Sequence, residues 1–380
     1  MRIVLTGGGS GGHFYPLIAV TEALEDIVKE RKLIEPELFY AGPSPFDDTA
    51  LIEHEITHLP NSAGKRRHHP SILNIFDIFK TGWGIIQATI GLFQLYPDIV
   101  FSTGGYAAFP TLWAARLLRI PVIIYDADVM PGRVSMWSAR FAHWIALAHP
   151  DAAKQFPEEY LEKIARTGHP IRKEILLVAK EGEYEFLKLD RTTPTIFIMG
   201  GSQGAVALNE ATLNALPELL ESYNIVHQTG KTNLKEVTDI ASVVLKNSRH
   251  ADRYRPFGLL NTLAMRMSAG AASVIVSRAG SGSIFEIATW GIPAILVPIP
   301  TDISRDQTEN AFSYARAGAA TVLEQKNLAP HLLIAEIRRI MEDEALQKRM
   351  VEAGREFARP DAAQKIAKII IETALEHQSV

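Results

Sequence analysis

The sequence predicts an α/β protein of two doubly wound domains, and three observations carry that prediction. A short apolar strand, a glycine turn and a helix open the chain at MRIVLTGGGSGGH, and the same succession restarts near its middle at TIFIMGGSQGA. Further short apolar strands alternate with helical patterns in both halves, as in parallel βαβ units. At 380 residues, the chain is also longer than one hydrophobic core usually spans.

Taken in order, Arg2 to Thr6 reads as a buried strand, GGGSGGH as a loop, and Pro16 to Lys29 as a helix with Leu17, Val20, Leu24 and Ile27 on one face. Gly7, Gly9 and Gly12 formally match the dinucleotide fingerprint G-x-G-x-x-G. The second strand, Glu37 to Tyr40, runs into Ala41, Gly42 and Pro43 instead of the acidic residue that holds a ribose, which argues against NAD. His13 follows the glycines directly. A neutral imidazole near a helix start can take a proton from an attacking hydroxyl; the plainer alternative is that it only hydrogen-bonds the loop.

A basic cluster, Lys65, Arg66, Arg67, His68 and His69, precedes a very apolar helical stretch from Ile72 to Tyr96. Ile72, Ile75, Phe76, Phe79, Trp83, Ile86, Ile90 and Phe93 share one face, for which core packing is the default reading. Asp77 and Lys80 interrupt the stretch, and the remainder falls short of the roughly 18 to 20 residues of a membrane span. A basic cluster beside exposed aromatic residues would instead suit docking on an anionic membrane surface.

The strand Asp98 to Ser102 delivers a second glycine turn, Thr103 to Tyr106, to a helix beginning near Pro110. Pro121 to Tyr125 is a further strand, ending in Asp126-Ala127-Asp128 and then Met130-Pro131-Gly132. The D-x-D spelling is a metal-binding pair in other enzymes, but three residues match too readily to carry weight. Asp128 remains a candidate base or acceptor-binding residue. Ile145 to Leu147 continues the sheet, and Thr167 to Arg172 (TGHPIR) exits the first domain.

In the second half, Glu181 to Pro194 reads as a linker with a short helix, Thr195 to Met199 as a strand, and Gly200 to Ala205 as a glycine loop. Thr229-Gly230-Lys231-Thr232 imitates part of a P-loop but lacks its leading glycine. After Phe257 and a helical run from Leu259 to Met267 comes the stretch richest in binding chemistry. The strand Ala272 to Val276 leads into the turn Arg278 to Ser283 and a helix opening at Ile284, an arrangement that points backbone N–H groups at an anion. Glu286 falls in the first turn of that helix, as a ribose ligand or as the partner of Ser283 in a capping box. A second buried strand, Ala294 to Val297, is followed by Asp306, Gln307 and Asn310, polar residues at a strand end where open sheets bind ligands. Lys365 to Leu375 is an amphipathic helix able to pack back on either domain.

Hydrophobic residues make up 47% of the chain, enough for a substantial core, and the formal net charge is −4. That charge gives no general footprint for nucleic acid. With no cysteines, disulfides, thiolate metal sites and cysteine nucleophiles are excluded. The opening residues lack the long apolar region and cleavage site of a signal peptide, so a cytoplasmic protein is expected.

Six motifs together, MRIVLTGGGSGGHFYP, FSTGGYAAFP, GHPIR, MGGSQGAVALN, HQTGK and SRAGSGSIFEIATWGIPAILVPIP…DQTENA, resemble the MurG-type N-acetylglucosaminyltransferases of bacterial cell-wall synthesis in their order and spread. The resemblance implies the GT-B fold, two Rossmann-like domains facing a cleft with the C-terminal helix returning to the first. It places an acceptor and membrane-association domain at 1–168, with 356–380 packing back on it, and a nucleotide-sugar donor domain at 169–355. The implied reaction moves N-acetylglucosamine from UDP-GlcNAc to the C4 hydroxyl of the muramoyl sugar of lipid I, with inversion, giving lipid II. No cofactor is required, and the enzyme would associate peripherally with the inner face of the plasma membrane. The resemblance assigns Arg172, Ser202 and Gln203 to the diphosphate, Phe257 and Gly258 to uracil, and Glu286 to the ribose. Ser281, Asp306 and Gln307 complete the donor side, with Gln307 on the sugar. His13 and Asp128 are the candidate bases, and Gly11, Gly12, Gly104, Gly105, Tyr106 and Asp128 the acceptor side.

The chain departs from the family pattern in two places. Tyr125 to Gly132 reads YDADVMPG where the family has H-E-Q-N-x-x-P-G, and Asp306 stands where histidine or glutamine usually precedes the glutamine. A glycosyltransferase for another nucleotide sugar or lipid-linked acceptor, a UDP-GlcNAc epimerase and a noncatalytic sugar-nucleotide binder therefore stand as alternatives.

Overall fold

Buried apolar strands build two all-parallel sheets, each within its own unit of the chain. The computed structural model describes residues 1–64, 73–201, 204–303 and 305–378. The chain divides into Met1–Lys173 with Arg359–Val380, and Glu174–Ala358.

The first unit runs β1 (Arg2–Thr6), α1 (Gly11–Arg31), β2 (Glu37–Gly42), α2 (Asp48–Glu53), β3 (Thr57–Pro60), α3 (Leu73–Leu95), β4 (Ile99–Ser102), α4 (Phe109–Leu118), β5 (Val122–Asp126), α5 (Arg133–Ser138), β6 (Trp144–Leu147) and β7 (Ile164–Arg166). Its strand order, β3-β2-β1-β4-β5-β6-β7, reverses direction between β1 and β4. The second unit begins with α6 (Lys173–Leu176) and α7 (Glu183–Leu187). It continues through β8 (Thr195–Met199), α8 (Val206–Leu219), β9 (Asn224–Gln228), α9 (Leu234–Val244), β10 (Tyr254–Phe257), α10 (Thr262–Ala271), β11 (Ala272–Ser277), α11 (Ser281–Trp290), β12 (Ala294–Leu296), α12 (Arg305–Arg316), β13 (Ala320–Val322), α13 (Pro330–Glu342) and α14 (Glu344–Phe357). Its order is β10-β9-β8-β11-β12-β13, reversing between β8 and β11. The final helix, α15 (Ala362–Gln378), belongs to the first unit and packs on α1, and its Ile366, Ile370 and Ile371 are fully buried. The doubly wound α/β prediction and the returning helix are thus both found.

Three local expectations are corrected. The first helix starts at Gly11, within the glycine run. Gly9 at φ 88° makes the turn and Ser10 is the extended N-cap, so Gly11 and Gly12 enter the helix. The helix after β11 starts at Ser281, because Gly280 takes the extended N-cap conformation at φ −68°, ψ 141°. Ser283 is therefore its third residue and Glu286 lies in the second turn, so they form no capping box. Asn310, expected among polar residues at a strand end, is inside α12 and fully buried.

A fourth correction concerns α3. Core packing is overturned for its aromatic stripe: Phe76, Phe79, Trp83 and Phe93 are 67, 74, 58 and 68% exposed. The inward face carries Ala88 and Leu92 together with polar side chains that serve the preceding loop. Gln87 Oε1 accepts from Ser62 N at 3.0 Å and Thr81 Oγ1 from Gly64 N at 3.1 Å. These loop amides would be left unsatisfied if the helix turned its aromatic face inward. Ile72 and the basic cluster Lys65 to His69 lie outside the described residues.

Candidate active site

The reversal between β1 and β4 brings the first two glycine turns side by side, at the kind of switch point where doubly wound sheets bind ligands. No side chain caps α1, and its first turn carries no acidic residue, so its leading amides and positive end are uncompensated from within the helix. His13, third residue of α1, is fixed across the gap. Its Nδ1 lies 2.8 Å from the carbonyl oxygen of Thr103, and the Thr103 hydroxyl donates to the His13 carbonyl at 2.6 Å. A carbonyl only accepts, so Nδ1 carries the proton of the neutral ring and Nε2 keeps its lone pair. Nε2 faces the second glycine turn: a Cβ added at Gly105 would stand 3.5 Å from it, and Gly105 has φ 78°. Gly104 likewise has φ 76°, and Tyr106 follows the pair.

The end of β5 joins the same neighbourhood, since a Cβ at Gly104 would approach Ser135 Oγ at 3.1 Å. Asp126 is buried; its Oδ1 accepts from Asp128 N at 3.2 Å, its Oδ2 from Gly132 N at 3.0 Å, and Ser135 adds a hydroxyl. Burial first, and then the Asp128 charge, push its carboxyl up to about 6 against these stabilising bonds. Asp126 is thus the brace of the turn, and the half-buried Asp128 is carried at its tip. Beneath them the Tyr125 hydroxyl bonds His169 Nδ1 at 2.6 Å. Burial pushes His169 down to about 3, so it stays neutral. Arg172 lies against α1, its guanidinium carbon 4.1 Å from the centre of the Tyr15 ring.

In the second unit, the loop after β8 and the turn after β11 adjoin at the other reversal. The loop turns on Gly201 at φ 77° and Gly204 at φ 78°, while Ser202 and Gln203 lie outside the described residues. Ser281 is buried as the first residue of α11, which has no side-chain cap, and Glu286 is half-buried one turn further. Gln307 and Asn310 clamp this turn. Gln307 Oε1 accepts from Ala279 N and from Ile299 N, both at 3.2 Å, and Asn310 Nδ2 donates to Ala279 O at 3.4 Å. With Oε1 so engaged, the donor side of the Gln307 amide is not used by these two bonds. Asp306 precedes it in the first turn of α12. Arg278 is structural: its Nη1 donates to Val297 O at 3.1 Å and its Nη2 to Gln325 Oε1 at 2.8 Å.

Phe257 and Gly258 end β10 beside the turn after β9. The Phe257 carbonyl accepts from Thr229 N at 2.8 Å and Thr229 Oγ1 at 3.1 Å, and Gly258 is buried against Leu234 and Lys231. That turn rests on a buried network: His227 Nδ1 meets the Tyr254 hydroxyl at 2.9 Å and Nε2 meets Asn209 Oδ1 at 3.0 Å, while Asn209 Nδ2 donates to Thr229 O at 3.0 Å. Burial pushes His227 down to about 3, which makes it a neutral strut.

The first unit therefore gathers His13, Gly11, Gly12, Gly104, Gly105, Tyr106 and Asp128 around one set of strand ends, with Arg172 beside α1. The second gathers Ser281, Gln307 and Asp306 around another, while Phe257 and Gly258 lie at the end of β10, separated from β11 by β9 and β8. Sequence reasoning missed Thr103, Asp126 and His169 as site residues. Thr103 and His169 were flagged only by position, each opening or following a glycine at a strand end; which nitrogen of His13 is held is a tertiary fact.

The chain matches the Glycosyltransferase family 28 N-terminal domain over residues 3–147 and the Glycosyltransferase family 28 C-terminal domain over residues 195–366. It is 33% identical over 351 residues to a UDP-N-acetylglucosamine--N-acetylmuramyl-(pentapeptide) pyrophosphoryl-undecaprenol N-acetylglucosamine transferase of Treponema denticola, covering 88% of this chain and 87% of the relative. A Bacillus cereus protein of the same description, numbered 2, is 35% identical over 349 residues, covering 91% and 93%. Among solved structures, Acinetobacter baumannii MurG superposes with a TM-score of 0.73 at 26% identity, over 98% of this chain and 99% of that one. A Neisseria meningitidis UDP-GlcNAc 2-epimerase shares the fold at TM-score 0.66 and 16% identity, over 99% and 100%.

Proposed function

The chain belongs to glycosyltransferase family 28, among its MurG-type members, and on that premise we propose that it transfers N-acetylglucosamine from UDP-GlcNAc to the C4 hydroxyl of a polyprenyl-diphosphate-linked muramoyl peptide. The observation that carries the chemistry is His13, held by Thr103 so that the Nε2 lone pair faces the Gly104–Gly105 turn. The first unit holds the acceptor, with the α1 amides and the glycine turns receiving its diphosphate. Nε2 removes the C4 hydroxyl proton as that oxygen attacks the anomeric carbon, and the bond from that carbon to the UDP oxygen breaks on the opposite face. Negative charge grows on the departing diphosphate, where the open start of α11, which has no side-chain cap, stabilises it. Such preorganised donors are worth roughly 3 to 4 kcal/mol each when deleted. Glu286 takes the ribose hydroxyls, the segment at Phe257 and Gly258 the uracil, and Asp306 with Gln307 the sugar.

The exposed aromatic face of α3 supports peripheral docking on an anionic membrane surface, where a polyprenyl acceptor resides. No helix among the described residues is long and apolar enough to cross a membrane.

Purified protein incubated with labelled UDP-GlcNAc, with and without a muramoyl-pentapeptide lipid, tests the reading. UDP release that depends on the lipid, with label passing into it, is expected; epimerised donor without any lipid would overturn it.

A further inference from the structure

Resting on that reading, the structure assigns to the first unit a groove for the peptide branch of the acceptor. A cavity of about 650 Å³ opens along α5 and the segment after β6, lined among others by Pro131, Arg133, Trp137, Arg140, Glu159 and Tyr160. Its volume is in the range that takes a ligand the size of a short peptide. Pro131 and Arg133 lie three and five positions after Asp128, directly beyond the turn that Asp126 braces, so the groove begins where the acceptor sugar is held. Arg133, Trp137 and Arg140 recur at helical spacing and share a face of α5 and its extension.

The chemistry of the walls selects the occupant. Trp137 is fixed by Phe109 and Phe141, with ring centres 4.9 and 5.0 Å away, and offers a rigid aromatic wall. Both guanidiniums are exposed, so two cations in the lining face the single carboxylate of Glu159. A peptide joined to the muramoyl carboxyl through its amino end finishes in a free carboxylate, which Arg133 and Arg140 can bind by charge-assisted hydrogen bonds. Glu159 suits an ammonium or amide group midway along it, and proline and aromatic walls suit its side chains.

The test uses the full-length protein and two soluble short-chain muramoyl diphosphate lipids, one bearing the pentapeptide and one bare. The wild type is expected to show a lower KM for the peptide-bearing acceptor, and the double variant Arg133→Glu/Arg140→Glu, confined to exposed positions, to raise that KM about tenfold. Its KM values for the bare acceptor and for UDP-GlcNAc are expected to stay unchanged. Equal KM for the two acceptors in the wild type, an equal rise for both in the variant, or lost vesicle binding with unaltered acceptor KM would overturn the assignment. Transfer to neither acceptor by the wild type would instead refute the glycosyltransfer reading itself.

Discussion

At the residue scale, the decisive contact is between His13 and Thr103. His13→Ala removes the imidazole held with its Nε2 lone pair toward the second glycine turn, and kcat is expected to fall roughly 10²- to 10⁴-fold with little change in UDP affinity. Single-turnover transfer measured alongside UDP binding checks this; near wild-type turnover would remove His13 as the base. Asp126 makes a prediction of opposite character, about stability. Its carboxyl is held near 6, above its ordinary 3.8, so the folded state binds the proton more tightly than the unfolded chain. Its stabilising contribution is therefore fully present below the ordinary value and is lost as pH rises through about 6. At about 1.4 kcal/mol per unit, the swing is on the order of 3 kcal/mol. Denaturation of the wild type and of Asp126→Asn at pH 4 and pH 7 should show the wild type gaining on the variant at the lower pH. A pH-independent difference would mean that folding leaves the proton affinity of Asp126 unchanged.

At the scale of elements, α3 shows how hydrophobic spacing can be read correctly and interpreted wrongly. The stripe from Phe76 to Phe93 was visible as a face, and the helix is there, but periodicity reports only that apolar residues share a side, not which side is covered. The sign was decided by Gln87 and Thr81, whose side chains receive the amides of Ser62 and Gly64 and so turn the aromatic side outward. Phe79→Ser/Trp83→Ser is accordingly expected to weaken co-sedimentation with anionic vesicles by an order of magnitude or so while leaving the melting temperature near the wild-type value. Unaltered vesicle binding would rule out α3 as the docking face. The glycine turns were more legible, because Gly9, Gly104 and Gly105 adopt positive φ that other residues avoid. The helix starts were not: Ser283 and Glu286 spelled a cap, yet Gly280 became the N-cap one turn earlier.

At the scale of the molecule, the first unit is discontinuous in sequence, since Arg359–Val380 belongs with Met1–Lys173. Ending the chain at Ala358 would remove α15 from α1 and strip the first unit of Ile366, Ile370 and Ile371, all fully buried. At roughly 1.5 to 3 kcal/mol per buried aliphatic side chain, that loss is comparable to the stability of a whole domain. The truncated protein is expected to lose the first unit's cooperative unfolding, followed by hydrogen exchange of α1, while Glu174–Ala358 keeps its protection. Preserved exchange protection in α1 would contradict this.

The sequence by itself determined two doubly wound units, the strand ends that carry glycine, the family and hence the class of reaction, because these follow from local conformational rules and from short motifs kept in order. Only the tertiary structure decided which nitrogen of His13 carries the proton, that Asp126 braces while Asp128 stands at the tip, that Gln307 has its carbonyl oxygen engaged, and which face of α3 meets solvent. Each of these depends on partners brought together from distant positions, Thr103 with His13 or Ala279 with Gln307. Hydrogen bonds of that kind leave no periodicity in the chain for a reader to find.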